Sequence, residues 1–116
     1  MKILFVLNDP PYGTERSYNG FRHANAVGKM EGIEIRIFLM ADAVVCAKRG
    51  QKTPDGYYNL ETMLTVASRR GASIGACGTC LDARGLTTEA LHDAVHRSSM
   101  EELSEWTVWA DKIVVY

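Results

Sequence analysis

The sequence predicts an α/β domain, a three-layer α/β/α sandwich built around a mostly parallel sheet. Three observations predict it. Short apolar runs alternate with amphipathic helical stretches along the whole chain. The first run, Ile3-Leu4-Phe5-Val6-Leu7, is apolar at every position, as a strand buried on both faces must be. Strands separated by helices of this length join by right-handed crossovers, which keep them parallel and cover both faces. With 116 residues, the chain is expected to form one domain, 1–116, large enough to bury a core without disulfides.

Each element has its own signal. The opening strand ends in Asn8-Asp9-Pro10-Pro11-Tyr12-Gly13, a loop by composition. Thr14 is a candidate cap for a helix whose inward face is Tyr18, Phe21, Ala24, Val27 and Met30, with Gly32 as a left-handed stop. A second strand runs through Ile35, Ile37, Phe38, Leu39 and Met40. Asp42 is placed to cap a short helix from Ala43 to Arg49 that Gly50 ends. A surface loop from Gly50 to Tyr58 leads to Asn59, the cap of a helix with Leu60, Met63, Leu64 and Ala67 on one face and Gly71 at its close. The third strand is Ala72 to Ala76, and a short helix is expected over Thr88 to Arg97. Ser99-Met100-Glu101-Glu102 forms a capping box for the last helix, with Leu103, Trp106 and Ala110 inward. Ile113-Val114-Val115 is the closing strand. Of the two tryptophans of that helix, Trp106 suits the core and Trp109 an oligomer contact.

Composition narrows the function classes. A net charge of −1 offers no electrostatic reason to bind nucleic acid or an anionic membrane. No apolar run approaches the roughly 20 residues of a membrane helix. Met1-Lys2 enters a strand-like run with no small-residue cleavage site behind it, so no signal peptide is expected and the chain reads as cytoplasmic. Three cysteines are too few for a disulfide framework and are better read as free thiols, ligands or catalysts.

The densest chemistry is Cys77-Gly78-Thr79-Cys80, directly after the third strand and four residues before Arg84-Gly85. Open α/β sheets gather ligands beyond the carboxyl ends of their strands, where the Asn8–Gly13, Ala41-Asp42 and Cys77–Gly85 loops are expected to meet. Two thiols at this spacing can form a disulfide, share a metal or pass sulfur between them, and a nearby guanidinium favours the thiolate each job needs. A metal is the first competitor, because Cys77, Cys80, His92 and His96 spell C-x2-C-x11-H-x3-H. Against it, the segment lies inside an alternating α/β chain, lacks the aromatic core of a zinc finger and belongs to a slightly acidic protein. A thioredoxin-type reductase is disfavoured because Arg84-Gly85 and Thr87-Thr88 interrupt any helix opening at Cys80, and all three prolines lie upstream. Buried free cysteine is also common, and that plain reading fits Cys46 best.

Several stretches together resemble the DsrE/DsrF-like family and, within it, the YchN-like branch. They are Pro11-Tyr12-Gly13-Thr14-Glu15, Phe38 through Val44, Arg49-Gly50-Gln51-Lys52, Gly56-Tyr57-Tyr58-Asn59, Cys77 through Gly85, Trp106-Thr107 and Ala110-Asp111-Lys112. The resemblance implies a compact α/β domain assembled into homotrimers or hexamers and related to subunits of sulfur-relay complexes. In those relatives one cysteine accepts a persulfide sulfur and hands it on, and its spacing to an Arg-Gly pair carries the role onto Cys77. The second thiol, Cys80, departs from the one-cysteine pattern, and His92 and His96 are not part of it.

The expected site thus has Cys77 as nucleophile, Cys80 as resolving thiol or inert packing, and Arg84 as thiolate stabiliser. Tyr12, Gly13, Asp42, Gly78, Thr79 and Gly85 surround the substrate sulfur. Tyr12 shapes the wall, Gly13 serves a turn, and Asp42 opposes the thiolate unless Arg84 offsets it. Arg84 also has a plainer use, a surface ion pair with Asp82 or Glu89. Persulfide exchange needs no metal or organic cofactor, only donor and acceptor proteins. The competing class is a non-enzymatic homo-oligomeric binding module with structural cysteines or a Cys/His zinc site.

Overall fold

The alternation of apolar runs becomes five strands in the computed structural model, which describes all residues 1–116. They are β1 (Lys2–Leu7), β2 (Glu34–Leu39), β3 (Ser73–Cys77), β4 (Val95–Ser98) and β5 (Lys112–Val115). All pair in parallel, in the order β4-β3-β2-β1-β5. The α-helices are α1 (Arg16–Val27), α2 (Leu60–Arg69), α3 (Gly78–Ala83) and α4 (Met100–Trp109).

Strand alternation assigns the faces. Phe5 and Leu7 meet α1: the Phe5 ring lies edge-on to His23, and Leu7 lies under Gly20. A Cβ on Gly20 would stand 2.4 Å from Leu7 Cδ2, so glycine is what allows α1 to lie this close to the sheet. Arg36 and Phe38 point the other way, where Phe38 packs edge-on against Trp106 of α4. The chain marches from β1 to β4 with α1 and α2 together on one face, then crosses back to β5 with α4 on the other. Phe5, Phe21, Phe38, Ile37, Leu64 and Ile74 are among the fully enclosed side chains of one continuous core.

Local signals held best where side chains close hydrogen bonds. Asn59 Oδ1 accepts from Thr62 N–H at 3.1 Å and caps α2, and Gly71 follows with φ of +92°. Ser99 Oγ accepts from Glu102 N–H at 3.2 Å, but the Glu102 carboxylate turns to Ser98 and His96, so only half of the capping box forms.

Four expectations are corrected. The helix expected over Thr88 to Arg97 is a single 3₁₀ turn, Thr88–Ala90, followed by the edge strand β4. Val95-His96-Arg97-Ser98 is buried only at its two ends, which hides the strand from a hydrophobicity reading. Thr14 does not cap α1: its hydroxyl donates to Asp9, and the helix begins two residues later without a side-chain cap. Because α1 stops at Val27, Met30 lies outside it and is exposed. Asp42 caps nothing either, since the short helix is 3₁₀, spans Ala41–Ala47 and has Met40 at its N-cap.

Candidate functional site

Cys77 is the last residue of β3 and the N-cap of α3. Strand alternation aligns it with Gly75, and its partner across the β3–β4 ladder is Ser98. The residue is buried, 7% exposed. Its Sγ lies 3.3 Å from Thr79 Oγ1. Burial pushes its pKa up, but hydrogen bonds from the Cys80 thiol, the Thr79 hydroxyl and the Cys80 and Thr79 backbone N–H groups outweigh that, and the net result is below the ordinary value. Cys77 is therefore the thiol of the pair that ionises first.

Cys80, one helical turn on, is half-buried. Its pKa is raised, first by burial and then by the neighbouring Cys77, against smaller opposing effects of Ala41 N–H and Arg84. The Ala41 N–H donates to Cys80 Sγ at 3.2 Å. Ala41 holds φ of +52°, the one non-glycine residue in the left-handed region, so local strain sits directly against the second thiol. Met40 Sδ stands 4.0 Å from the same sulfur. Both thiols are free.

Of the expected partners, Asp42 and Arg84 do meet, and they meet each other. Arg84 donates Nε and Nη2 to Asp42 Oδ1 at 3.0 and 2.6 Å and Nη1 to the Cys80 carbonyl at 3.0 Å. Its partner is thus neither Asp82 nor Glu89, and its electrostatic influence falls on Cys80. Gly85 follows α3 with φ of +63° and donates its N–H to Asp82 O at 3.1 Å, which turns the chain away from the site. Gly78 and Thr79 lie directly beside Cys77.

Tyr12 and Gly13 lie in another neighbourhood. The Tyr12 hydroxyl donates to Gln51 Oε1 at 2.6 Å and accepts from Leu60 N–H at 3.2 Å. Its ring joins a stack in which Tyr58 packs 4.1 Å from Tyr18. It also lines a cavity of about 210 Å³ with Val45, Lys48 and Gln51. Gly13 is an exposed turn residue with φ of +94°. Of the three loops expected to converge, the Ala41-Asp42 and Cys77–Gly85 loops are joined by hydrogen bonds and an ion pair. The Asn8–Gly13 loop bonds elsewhere, to Tyr116, Ser17 and Gln51.

The residue that sequence reasoning missed is Arg97. It lies on β4, which the sequence presented as helix, and its guanidinium rests over Gly78. A Cβ on Gly78 would stand 2.9 Å from Arg97 Nε, Cζ and Nη2. Asp82 holds that guanidinium in a two-pronged ion pair, 2.8 Å on each arm. Cys77 and Arg97 attract: after Asp82, the thiol is among the groups that raise the Arg97 pKa. The signal available in sequence was a glycine between two cysteines with no turn to make.

The metal-like pattern does not converge. His92 bonds Thr65 Oγ1 at 2.9 Å, His96 bonds Glu102, and no three His, Cys, Asp or Glu side chains gather as a ligand group. Cys46 sits fully enclosed within the 3₁₀ helix, where burial pushes its thiol up to about 12. Trp106 is buried as expected, while Trp109 lies half-covered with the Arg36 guanidinium 3.9 Å from its ring centre.

Known proteins resemble this chain from end to end. The DsrE/DsrF-like family model matches residues 1–116. Protein YchN of Escherichia coli K12 is 40% identical over 116 residues, covering 99% of this chain and 98% of YchN. The uncharacterized protein MJ0989 of Methanocaldococcus jannaschii is 34% identical over the full length of both chains. The crystal structure of E. coli YchN superposes with a TM-score of 0.94 over 99% of this chain and 98% of that one. MTH1491 of Methanobacterium thermoautotrophicum, a protein of unknown function, shares the fold at a TM-score of 0.78 with 14% identity, over 99% and 98% of the two chains. This chain belongs to the DsrE/DsrF-like family.

Proposed function

We propose that the protein is a persulfide carrier that loads one sulfur atom on Cys77 and passes it to an acceptor thiol. One observation carries the reading: of two adjacent free thiols, Cys77 is drawn toward the thiolate despite burial while Cys80 is held as the thiol. The Cys77 thiolate attacks the outer sulfur of a donor persulfide; the donor S–S bond breaks, the donor leaves as a thiol, and Cys77-S-SH forms with no net oxidation. An acceptor thiolate then takes the sulfur and returns the Cys77 thiol. Cys80 provides a second exit. Its thiolate attacks Cys77 Sγ, expels hydrosulfide and leaves a Cys77–Cys80 disulfide, which an external dithiol must reduce before the next cycle.

The carrier works as a homo-oligomer with protein donors and acceptors, in the reducing cytoplasm where free thiols persist. A single helix, α4, covers one face of the five-stranded sheet. On that side Val108, Val115 and Ile113 are 88%, 64% and 46% exposed, an apolar surface suited to another copy. No helix is long and apolar enough to cross a membrane.

Native mass spectrometry before and after exposure to a persulfide donor tests both parts. The expected result is a multimer gaining one sulfur per subunit, with the gain absent in Cys77→Ser. No gain in the wild type rejects sulfur transfer, and bound zinc in the untreated protein supports the metal-binding module instead.

A further inference from the structure

We propose that Arg97 is the cation that stabilises charged sulfur at Cys77, and that Gly78 is glycine because any side chain there would displace it. The persulfide half of this inference rests on the proposed function; the thiolate half does not.

Three observations converge. The guanidinium lies against the backbone of the residue next to Cys77, at a distance no Cβ would tolerate. Gly78 has no positive φ, so its lack of a side chain answers to space and not to backbone conformation. Asp82 anchors the guanidinium through two parallel hydrogen bonds, which fixes its plane while its side chain stays half-exposed. An anion arriving at Cys77 therefore meets a cation whose orientation is already set. The terminal sulfur of a persulfide carries its charge one bond beyond Sγ, nearer to solvent, and a half-exposed guanidinium can follow it there.

Other charged groups surround the thiol and are distinguishable. From α3 come Cys80 and Asp82, and from its C-cap comes Arg84, bound to Asp42 of the 3₁₀ helix. On the face of the sheet that Cys77 shares with Gly75, His96 of β4 and Glu102 of α4 close over Gly75, with Ser98 Oγ donating to Glu102 at 2.5 Å and Arg36 of β2 near Glu102. The three atoms nearest to a methyl group on Gly78 all belong to the Arg97 guanidinium, so that substitution acts on Arg97 first.

The test is the pH dependence of Cys77 alkylation by iodoacetamide, read by peptide mass mapping, in wild type, Arg97→Gln, Gly78→Ala and Arg69→Gln. Arg69 is exposed at the end of α2, so its variant controls for the loss of one positive charge. Both Arg97→Gln and Gly78→Ala are expected to move the ionisation of Cys77 to higher pH and slow its alkylation at neutral pH. The slowing should be roughly two- to fivefold, the size a half-exposed ion pair supports. Arg69→Gln should match the wild type. An unchanged profile in Arg97→Gln overturns the proposal, as does an equal shift in Arg69→Gln. A shift in Arg97→Gln with none in Gly78→Ala overturns the assigned position of the guanidinium. If Arg97→Gln does not fold, Gly78→Ala carries the test, since it leaves every charge in place. Failure of sulfur loading with these alkylation shifts intact would reject the carrier reading and leave Arg97 as the stabiliser of the thiolate.

Discussion

The three thiols of this protein should react in a fixed order, Cys77 before Cys80 before Cys46, and the gap to Cys46 can be worked from the structure. Cys46 is fully enclosed, and burial lifts its pKa from 9.0 to about 12. At pH 8 about one such thiol in ten thousand is ionised, against about one in ten for an ordinary thiol of pKa 9.0. Alkylation of Cys46 in the folded protein should therefore run about a thousandfold slower than that of a free thiol, before any steric protection. Cys77 moves in the opposite direction.

The perturbation is iodoacetamide at pH 8 with and without denaturant, and the assay is the time course of each cysteine peptide by mass. In denaturant the three rates should collapse to within a few fold of one another. Native labelling of Cys46 within about tenfold of Cys77, or of Cys80 ahead of Cys77, would refute the assignment of environments.

The same burial has a consequence for stability. The folded chain keeps the Cys46 proton to about pH 12, whereas the unfolded chain releases it near 9.0. The stabilisation from the neutral thiol is thus complete below pH 9 and declines as pH rises from 9 toward 12, with about 1.4 kcal/mol lost by pH 10. Chemical denaturation across that range should show the decline in wild type and a flatter profile in Cys46→Ala.

Further substitutions test the frame around the site. Asn59→Ala removes the acceptor of Thr62 N–H and the donor to Gln51 O, and should cost about 1–2 kcal/mol in urea unfolding. Gly20→Ala drives a methyl group against Leu7 in the core and should cost about 1–3 kcal/mol, with a matching fall in Tm. Ala41→Gly relieves the left-handed residue beside Cys80 and should leave stability unchanged or raised by up to about 1 kcal/mol, measured the same way.

The amino-acid order alone determined the layer architecture, the family and the place of the cysteines. Those properties follow from local rules: an unbroken apolar strand, a helix cap such as Asn59, and two thiols that only two intervening residues keep adjacent whatever surrounds them. Short range also made Gly78 and Thr79 neighbours of Cys77. Tertiary structure decided the rest, because long-range pairing sets which charge meets which thiol. Arg84 is closer in sequence to Cys77 than Arg97 is, yet a capture by Asp42, 42 residues away, turns it toward Cys80. Arg97 reaches the site only because β4 pairs with β3 in a register that sets Ala76 beside Arg97 and Cys77 beside Ser98. That strand has too little apolar content to declare itself, being an edge that its neighbour completes. Tyr12 shows the converse: its loop leaves the carboxyl end of β1 as expected, but the hydroxyl finds Gln51 and Leu60 in preference to the thiols. Strand periodicity is written residue by residue, whereas the partner of a charged side chain is chosen only once the sheet has closed.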